Sequence, residues 1–197
     1  MFNSDMTFND LIEKYVDYNN EHFIDEQFVD IGTLIYQIGK PISKIYFCKK
    51  TGSGIVRAYI PDEESDEGRT TGFWSENEPV VPIISLIRDV PVAANFQVIE
   101  AGWFYVITKK NAQKIKELEP NWRDILFRMV ADELERHNEY LLNNSETTLD
   151  RYKMLVEKYP YLDRVPDKYK ASYLAVYRTT ISRSKTDSHK KKRKPKK

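Results

Sequence analysis

The chain has 197 residues and a single cysteine, Cys48, so no disulfide can form within it. Cys48 ends the apolar run Ile45-Tyr-Phe-Cys48, where a small buried thiol is the expected role rather than a catalytic or sensing one. Apolar runs of the ~20 residues that cross a bilayer are also missing. Met1-Phe-Asn-Ser-Asp5 has neither the basic start nor the apolar stretch of a secretory signal. These absences give the expectation of a cytoplasmic protein that makes no membrane contact. No Gly-rich phosphate loop opens a helix, and no His-Glu-x-x-His pair, nucleophile elbow or cysteine pair occurs. Catalysis is therefore not expected, and the acids Asp62, Glu63, Glu64, Asp66 and Glu67 read as a solvated loop. What the chain does have is 41% hydrophobic and 13% aromatic residues, enough for a proper core.

Charge is abundant but unevenly placed. Residues 151–197 carry 16 Lys and Arg against 4 Asp and Glu, whereas residues 1–150 carry 15 against 26, so the formal net charge of +1 hides a strong dipole. Such asymmetry points to nucleic acid, whose phosphates would dominate the affinity. The last eight residues alone supply 7 of the positive charges, yet 151–189 still stands at 9 against 4.

Within that basic segment, Asp167-Lys-Tyr-Lys-Ala-Ser-Tyr-Leu-Ala-Val-Tyr-Arg-Thr-Thr-Ile-Ser-Arg-Ser-Lys185 reads as a helix-turn-helix. Asp167 after Pro166 is expected to cap the first helix. Ala171 is small enough for a close crossing, Leu174 and Ile181 meet across the turn, and Thr179 starts the second helix. Arg178, Thr179, Thr180, Ser182 and Arg183 then face outward with Lys185 beyond them, offering arginines to guanine edges and hydroxyls to phosphates. Ala175 stands where such turns usually have glycine, which makes a left-handed backbone there costlier.

Upstream, Phe8, Leu11, Ile12, Tyr15 and Val16 recur at helical spacing and predict a short covering helix. Strand-like pieces follow at Phe28–Ile38, Lys44–Cys48, Gly54–Ile60, Thr70–Trp74, Val80–Ile87 and Phe96–Thr108, broken by Gly39-Lys-Pro41, Thr51-Gly-Ser-Gly54 and an acidic turn over Pro61–Gly68. Short strands at this spacing predict a sandwich or barrel. From Asn111 the period is helical again. A stripe of Trp122, Ile125, Leu126, Met129, Val130, Leu134, His137 and Leu141 predicts a connector helix over 121–142. Lying between two domains, its Ile125, Leu126, Met129, Val130, Leu134, His137 and Leu141 are the expected seam of a homodimer matching two half-sites. Asn143–Thr148 then breaks the helix and caps the next one.

This order of elements resembles the CRP/FNR superfamily of bacterial transcription regulators. The best local matches are Gln97-Val-Ile-Glu-Ala101 before Phe104-Tyr-Val-Ile107, Asp150–Pro160, and Ala171-Ser-Tyr-Leu-Ala175 with Thr180-Ile-Ser-Arg183, and they look like the shorter-tailed members. The resemblance implies an α+β chain: a cyclic-nucleotide-binding-like β-roll of jelly-roll type with an N-terminal helix over 1–120, a dimerisation helix over 121–143, a helix-turn-helix domain over 144–186 and a basic tail over 187–197. It also implies double-stranded DNA as partner, with RNA polymerase or a small-molecule effector as further candidates. Any effector pocket would be lined by Trp74, Ile84, Ser85, Val92 and Asn95. The family's cyclic-nucleotide binders use Gly-Glu and an arginine around the phosphate. Here Val92 stands where that arginine would be, Glu76 and Glu78 would repel a phosphate, and Arg69 and Arg88 lie elsewhere, so cyclic AMP is not expected. One cysteine and histidines at 22, 137 and 189 fit neither the iron-sulfur nor the haem sensors of the family, and no cofactor is expected. Arg178 and Arg183 match recognition arginines, Thr179 replaces a frequent glutamate, and Ser184 replaces an apolar residue. The functional expectation is a dimeric regulator reading a pseudo-palindrome. Two alternatives stay open: an interaction protein with a degenerate helix-turn-helix, and a non-specific nucleic-acid binder driven by the tail.

Overall fold

The computed structural model describes residues 6–18, 21–63, 65–142 and 147–181. Alternation of apolar and polar side chains gives two four-stranded antiparallel sheets, ordered β1-β8-β3-β6 and β2-β7-β4-β5. Their strands are β1 (Asp25–Val29), β2 (Leu34–Tyr36), β3 (Lys44–Cys48), β4 (Ile55–Asp62), β5 (Ser65–Trp74), β6 (Pro79–Val80), β7 (Asn95–Glu100) and β8 (Gly102–Thr108). The inner faces enclose Val29, Tyr36, Tyr46, Val56, Trp74, Val92, Phe96, Val98 and Phe104. This is the expected β-roll.

Both outer faces are covered, and that positions everything else. Helix α1 (Phe8–Val16) opens with a Thr7/Asp10 capping box and buries Phe8, Leu11, Ile12 and Tyr15. With α3 (Lys109–Leu118) and the start of α4 (Trp122–Leu142), it covers Ile45, Phe47 and Ile107 on one sheet. Glu119 fixes the α3–α4 corner through Lys14 Nζ at 2.7 Å and the Asn121 N–H at 3.1 Å. Burial opposes its charge, but these donors win and hold the carboxyl below its ordinary range. The second sheet carries Ile55 and Phe73 on its outer face. They pack under α5 (Thr148–Lys158), a 3₁₀ turn over Pro160–Asp163 and α6 (Asp167–Tyr173). Lys170 is fully buried there, its ammonium donating to the Leu162 carbonyl at 3.0 Å and lying 3.2 Å from Asp167.

Several expectations change. Val80–Ile87 is not a strand: pairing stops at Val80, and Pro82 opens the short helix α2 (Ile83–Arg88), because proline has no N–H for a ladder but is tolerated where a helix begins. Phe28–Ile38 and Phe96–Thr108 each split into two strands lying in different sheets. Pro61–Gly68 is no open loop, since Asp62 pairs with Ser65 and the β4–β5 hairpin runs through it. Asp167 is the first residue of α6 rather than its cap; Pro166 takes that position without a side-chain bond, leaving the carboxylate to Lys170 one turn on.

Ala175 does adopt the left-handed backbone, at φ 53°, and the Val176 N–H reaches back to the Ala171 carbonyl at 2.9 Å to close α6. An L-residue there costs about 1–2 kcal/mol, against about 0.5–1 kcal/mol of chain entropy for glycine. Ala175→Gly should therefore stabilise the protein by about 0.5–1 kcal/mol, read as a rise in melting temperature; a fall would contradict the strain assigned to this turn.

Candidate nucleic-acid interface

The outward surface of the helical domain begins where α6 ends. After the turn at Ala175, residues 178–181 are helical, so the second helix starts at Arg178, one residue before the expected Thr179. Leu174 and Ile181 are buried together against Ile55 and Phe73, which fixes the angle between the two helices. Arg178 and Thr179 are exposed and Thr180 is half-buried. Ser182, Arg183, Ser184, Lys185, His189 and the 187–197 tail lie outside the described residues. Tyr177, unremarked in the sequence, is 85% exposed beside Arg178.

Behind this surface is a junction that the sequence did not announce. Arg136 of α4 donates to the Phe73 carbonyl at 3.0 Å and to Glu78 at 2.9 Å. Its guanidinium stands 5.6 Å from the Trp74 ring and 5.4 Å from the Tyr159 ring. The Tyr161 hydroxyl lies 3.1 Å from both Glu78 and the Phe73 carbonyl, and the Ser75 N–H adds a bond to Glu78 at 2.8 Å. Burial works against the arginine's charge, but Glu78 outweighs it and raises its affinity for the proton. Next to it, burial raises the Glu133 carboxyl. A cleft of about 280 Å³ adjoins these groups, lined in part by Trp74, Met129, Glu133, Lys158 and Tyr159. Arg164 forms a neighbouring pair of bridges, 3.3 Å to Glu76 and 3.1 Å to Glu100. Glu76 and Glu78 are therefore not aimed at a ligand phosphate; arginines far along the chain take them up.

The residues expected to line an effector pocket do not share a surface. Trp74 and Val92 are buried in the roll interior, which an aromatic chain fills: Trp74 to Phe96 at 5.2 Å, Phe96 to Tyr36 at 5.3 Å, Tyr36 to Tyr46 at 5.7 Å. Asn95 is committed to the Ile38 N–H at 2.9 Å and Ser85 to the Pro91 carbonyl at 3.2 Å. Ile84 faces away from the interior and is 58% exposed. Arg69 and Arg88 are exposed. Burial lifts the Cys48 thiol well above its ordinary range, in keeping with a core residue.

The connector stripe divides in two. Ile125 and Met129 are buried against the chain's own core, with Leu126 and Val130 at its margin. The apolar area of Ile125 and Met129 is spent within the chain, which corrects their expected place in a seam between copies. Leu134 is 57% exposed and His137 is exposed; the Leu141 side chain lies outside the described residues. Phe127, absent from the expected stripe, is 75% exposed and lines a concave surface with Arg123, Asp124 and Arg128.

Among solved structures the chain is similar to FixK2 from Bradyrhizobium japonicum, at 17% identity over 85% of each chain and a TM-score of 0.68. It is also similar to CLP, a c-di-GMP responsive global regulator from Xanthomonas campestris, at 15% identity over 92% of this chain and 91% of that one, TM-score 0.61. CooA from Carboxydothermus hydrogenoformans, in a variant form, gives 17% identity over 95% and 86%, TM-score 0.62. The fold is that of the CRP/FNR transcription regulators. No protein-family model matches the sequence, and no curated protein does. Among the described residues, no helix is long and apolar enough to cross a membrane.

Removing one member of a largely buried ion pair strands the other. Arg136→Met should cost about 2–3 kcal/mol of stability, measured by chemical denaturation. Arg136→Lys should recover only part of it, since an ammonium lacks the planar fork whose two separate nitrogens reach Phe73 and Glu78 and the flat face that meets the Trp74 and Tyr159 rings; full recovery by lysine would show that charge alone matters.

Proposed function

We propose that the chain is a DNA-binding transcription regulator of the CRP/FNR type, acting as a homodimer and without a cyclic nucleotide. The observation that carries the reading is the helical pair closed by Leu174 and Ile181, which leaves Arg178 and Thr179 exposed at the start of the second helix. That is where a recognition helix presents its first base contacts. The basic balance of residues 151–197 supplies the phosphate attraction. In this reading Arg178 and Arg183 contact bases, Thr179, Thr180 and Ser182 help to fix the register, and Lys185 with the 187–197 tail holds phosphates.

The absence of a cyclic-nucleotide response rests on Val92, which is 2% exposed and has its backbone tied to Lys40 and Gly39. Nothing at that position can neutralise a phosphate. Titration calorimetry with cyclic AMP and cyclic GMP should give no binding heat in the micromolar range; saturable binding would end this part of the reading.

The dimer rests on spacing along α4. Phe127, Val130, Leu134, His137 and Leu141 recur at alternating steps of three and four, the pattern of a two-stranded seam. Light scattering at micromolar concentration should give twice the chain mass. Leu134→Asp or Phe127→Asp should halve it, and a protein that is monomeric before either change would sink the idea.

Base reading and phosphate attraction separate by experiment. Genome-wide selection of bound fragments should return an enriched pseudo-palindrome. Arg183→Ala should cost about 1–3 kcal/mol on the preferred site and relax discrimination there. Truncation after Lys185 should weaken all sequences alike and flatten the salt dependence by up to roughly 0.9 in log–log slope for each phosphate that the tail no longer neutralises. If no motif were enriched and only the truncation mattered, tail-driven non-specific binding would replace specific reading.

A further inference from the structure

The β4–β5 hairpin grips the first helix of the helix-turn-helix within the same chain. Its central group is Arg57, 2% exposed on the outer face of the second sheet. The register between β4 and β5 shifts after Ala58, so that Arg57 lies opposite Phe73 and Tyr59 opposite Thr70. An extra residue on β5 turns Thr70 onto the same face as Arg57. The guanidinium donates to Thr70 Oγ1 at 2.8 Å and to the Glu67 and Gly68 carbonyls at 2.6 and 3.0 Å. It stands 4.7 Å from the Tyr59 ring of the hairpin and 4.1 Å from the Tyr169 ring of α6.

From α6, the Ser172 hydroxyl accepts the Thr70 N–H at 2.9 Å and reaches the Gly68 carbonyl at 3.3 Å. Lys168 pairs with Glu67. Gly68 sits at φ +62°, and a Cβ there would fall 2.5 Å from the Ile60 carbonyl oxygen and 2.9 Å from the Tyr59 ring. The hairpin is thus folded tightly enough to act as a fixed jaw. The Glu67 carboxylate, the buried Arg57 and backbone groups of β5 meet Lys168, Tyr169 and Ser172 of α6 in turn, and the second helix follows α6 after the turn over residues 174–177.

We infer that Arg57, Tyr169 and Ser172 are positioning residues for DNA reading: they set where the recognition helix lies relative to its own β-roll, and so the separation between half-sites that a dimer accepts. This rests on the DNA-reading dimer proposed above. In a dimer joined through α4, the distance between the two recognition helices is fixed only if each helical domain is fixed on its own roll. The chain of ring contacts through the roll interior suits such a rigid arrangement.

The test uses the full chain and palindromes built from the selected half-site, their separation varied one base pair at a time around about one helical turn. The unaltered protein should prefer one separation by roughly tenfold or more over separations two base pairs away. Arg57→Met and the milder Ser172→Ala should bind an isolated half-site within about twofold of the unaltered protein, yet lose most of the preference for separation. Hydrogen exchange over residues 167–174 should rise in both variants while exchange over β3 and β8 stays unchanged. Folded variants that keep the full separation preference would overturn the inference while leaving the DNA reading intact. Failure of the unaltered protein to bind any fragment would overturn the DNA reading first, and the inference with it.

Discussion

Two guanidinium groups, the buried one of Arg57 and the half-buried one of Arg136, organise the junction between the β-roll and the helices that follow it. The outer face of the β2-β7-β4-β5 sheet would otherwise present Phe73 and the hairpin carbonyls to water; instead Arg136 and Arg57 satisfy those carbonyls from either end. A guanidinium suits the task because its planar fork serves several acceptors at once and its faces stack on aromatic rings. Each arginine meets two aromatic rings and bonds backbone oxygens. Taking a charge out of water is costly unless its donors are used; Arg57 uses its donors within the β4–β5 hairpin, and Arg136 uses two of its own to tie α4 to Phe73 and Glu78. The helical segment is bound to the roll by hydrogen bonds such as Tyr161 to Phe73 and Thr70 to Ser172 as well as by the apolar cluster around Ile55 and Phe73.

That constraint explains which parts of the structure were legible in the sequence. Short-range patterns were: Phe8, Leu11, Ile12 and Tyr15 face one way on α1, Leu174 and Ile181 close the helix pair, and Ala175 takes the left-handed turn. Each depends on neighbours within a turn or two. The junction depends on pairs such as Arg136 with Glu78 and Thr70 with Ser172, which are 58 and 102 residues apart. No spacing rule reaches that far. Arg57 was invisible for a second reason: a lone arginine in an alternating strand reads as solvent-facing, and here the solvent face of the sheet is covered by another domain. Glu76 and Glu78 could be read as hostile to a phosphate only while their arginine partners were unknown.

The connector helix shows how two periodicities can hide in one stripe. Residues 122, 125, 126 and 129 cover the chain's own core, while 127, 130, 134, 137 and 141 follow a seven-residue repeat on a neighbouring face. Merging them produces a single broad stripe and drops Phe127, the most exposed large apolar residue among those described on α4. A helix of 3.6 residues per turn drifts by about 20° per heptad against that repeat, so a face that starts beside the roll moves away from it along 21 residues. One face of the first half of α4 has spent its apolar area on the chain's own core, while Phe127 and Leu134 leave apolar area exposed on the neighbouring face.

The roll interior bears on how such a protein could be regulated. A sensor of this shape needs space that a ligand completes, and the inner layer here is occupied from Trp74 to Phe104 by rings in edge and tilted contact. The Tyr36 hydroxyl is already committed to the Val80 carbonyl at 2.9 Å, so even the polar atom at the centre of that layer has its partner. Opening a cavity would mean breaking close packing, at a cost that rises with every atom left without a neighbour. Outside the roll the polar groups sit closer to water, as in the carboxylate-rich cleft beside Arg136, where burial still raises the Glu133 carboxyl.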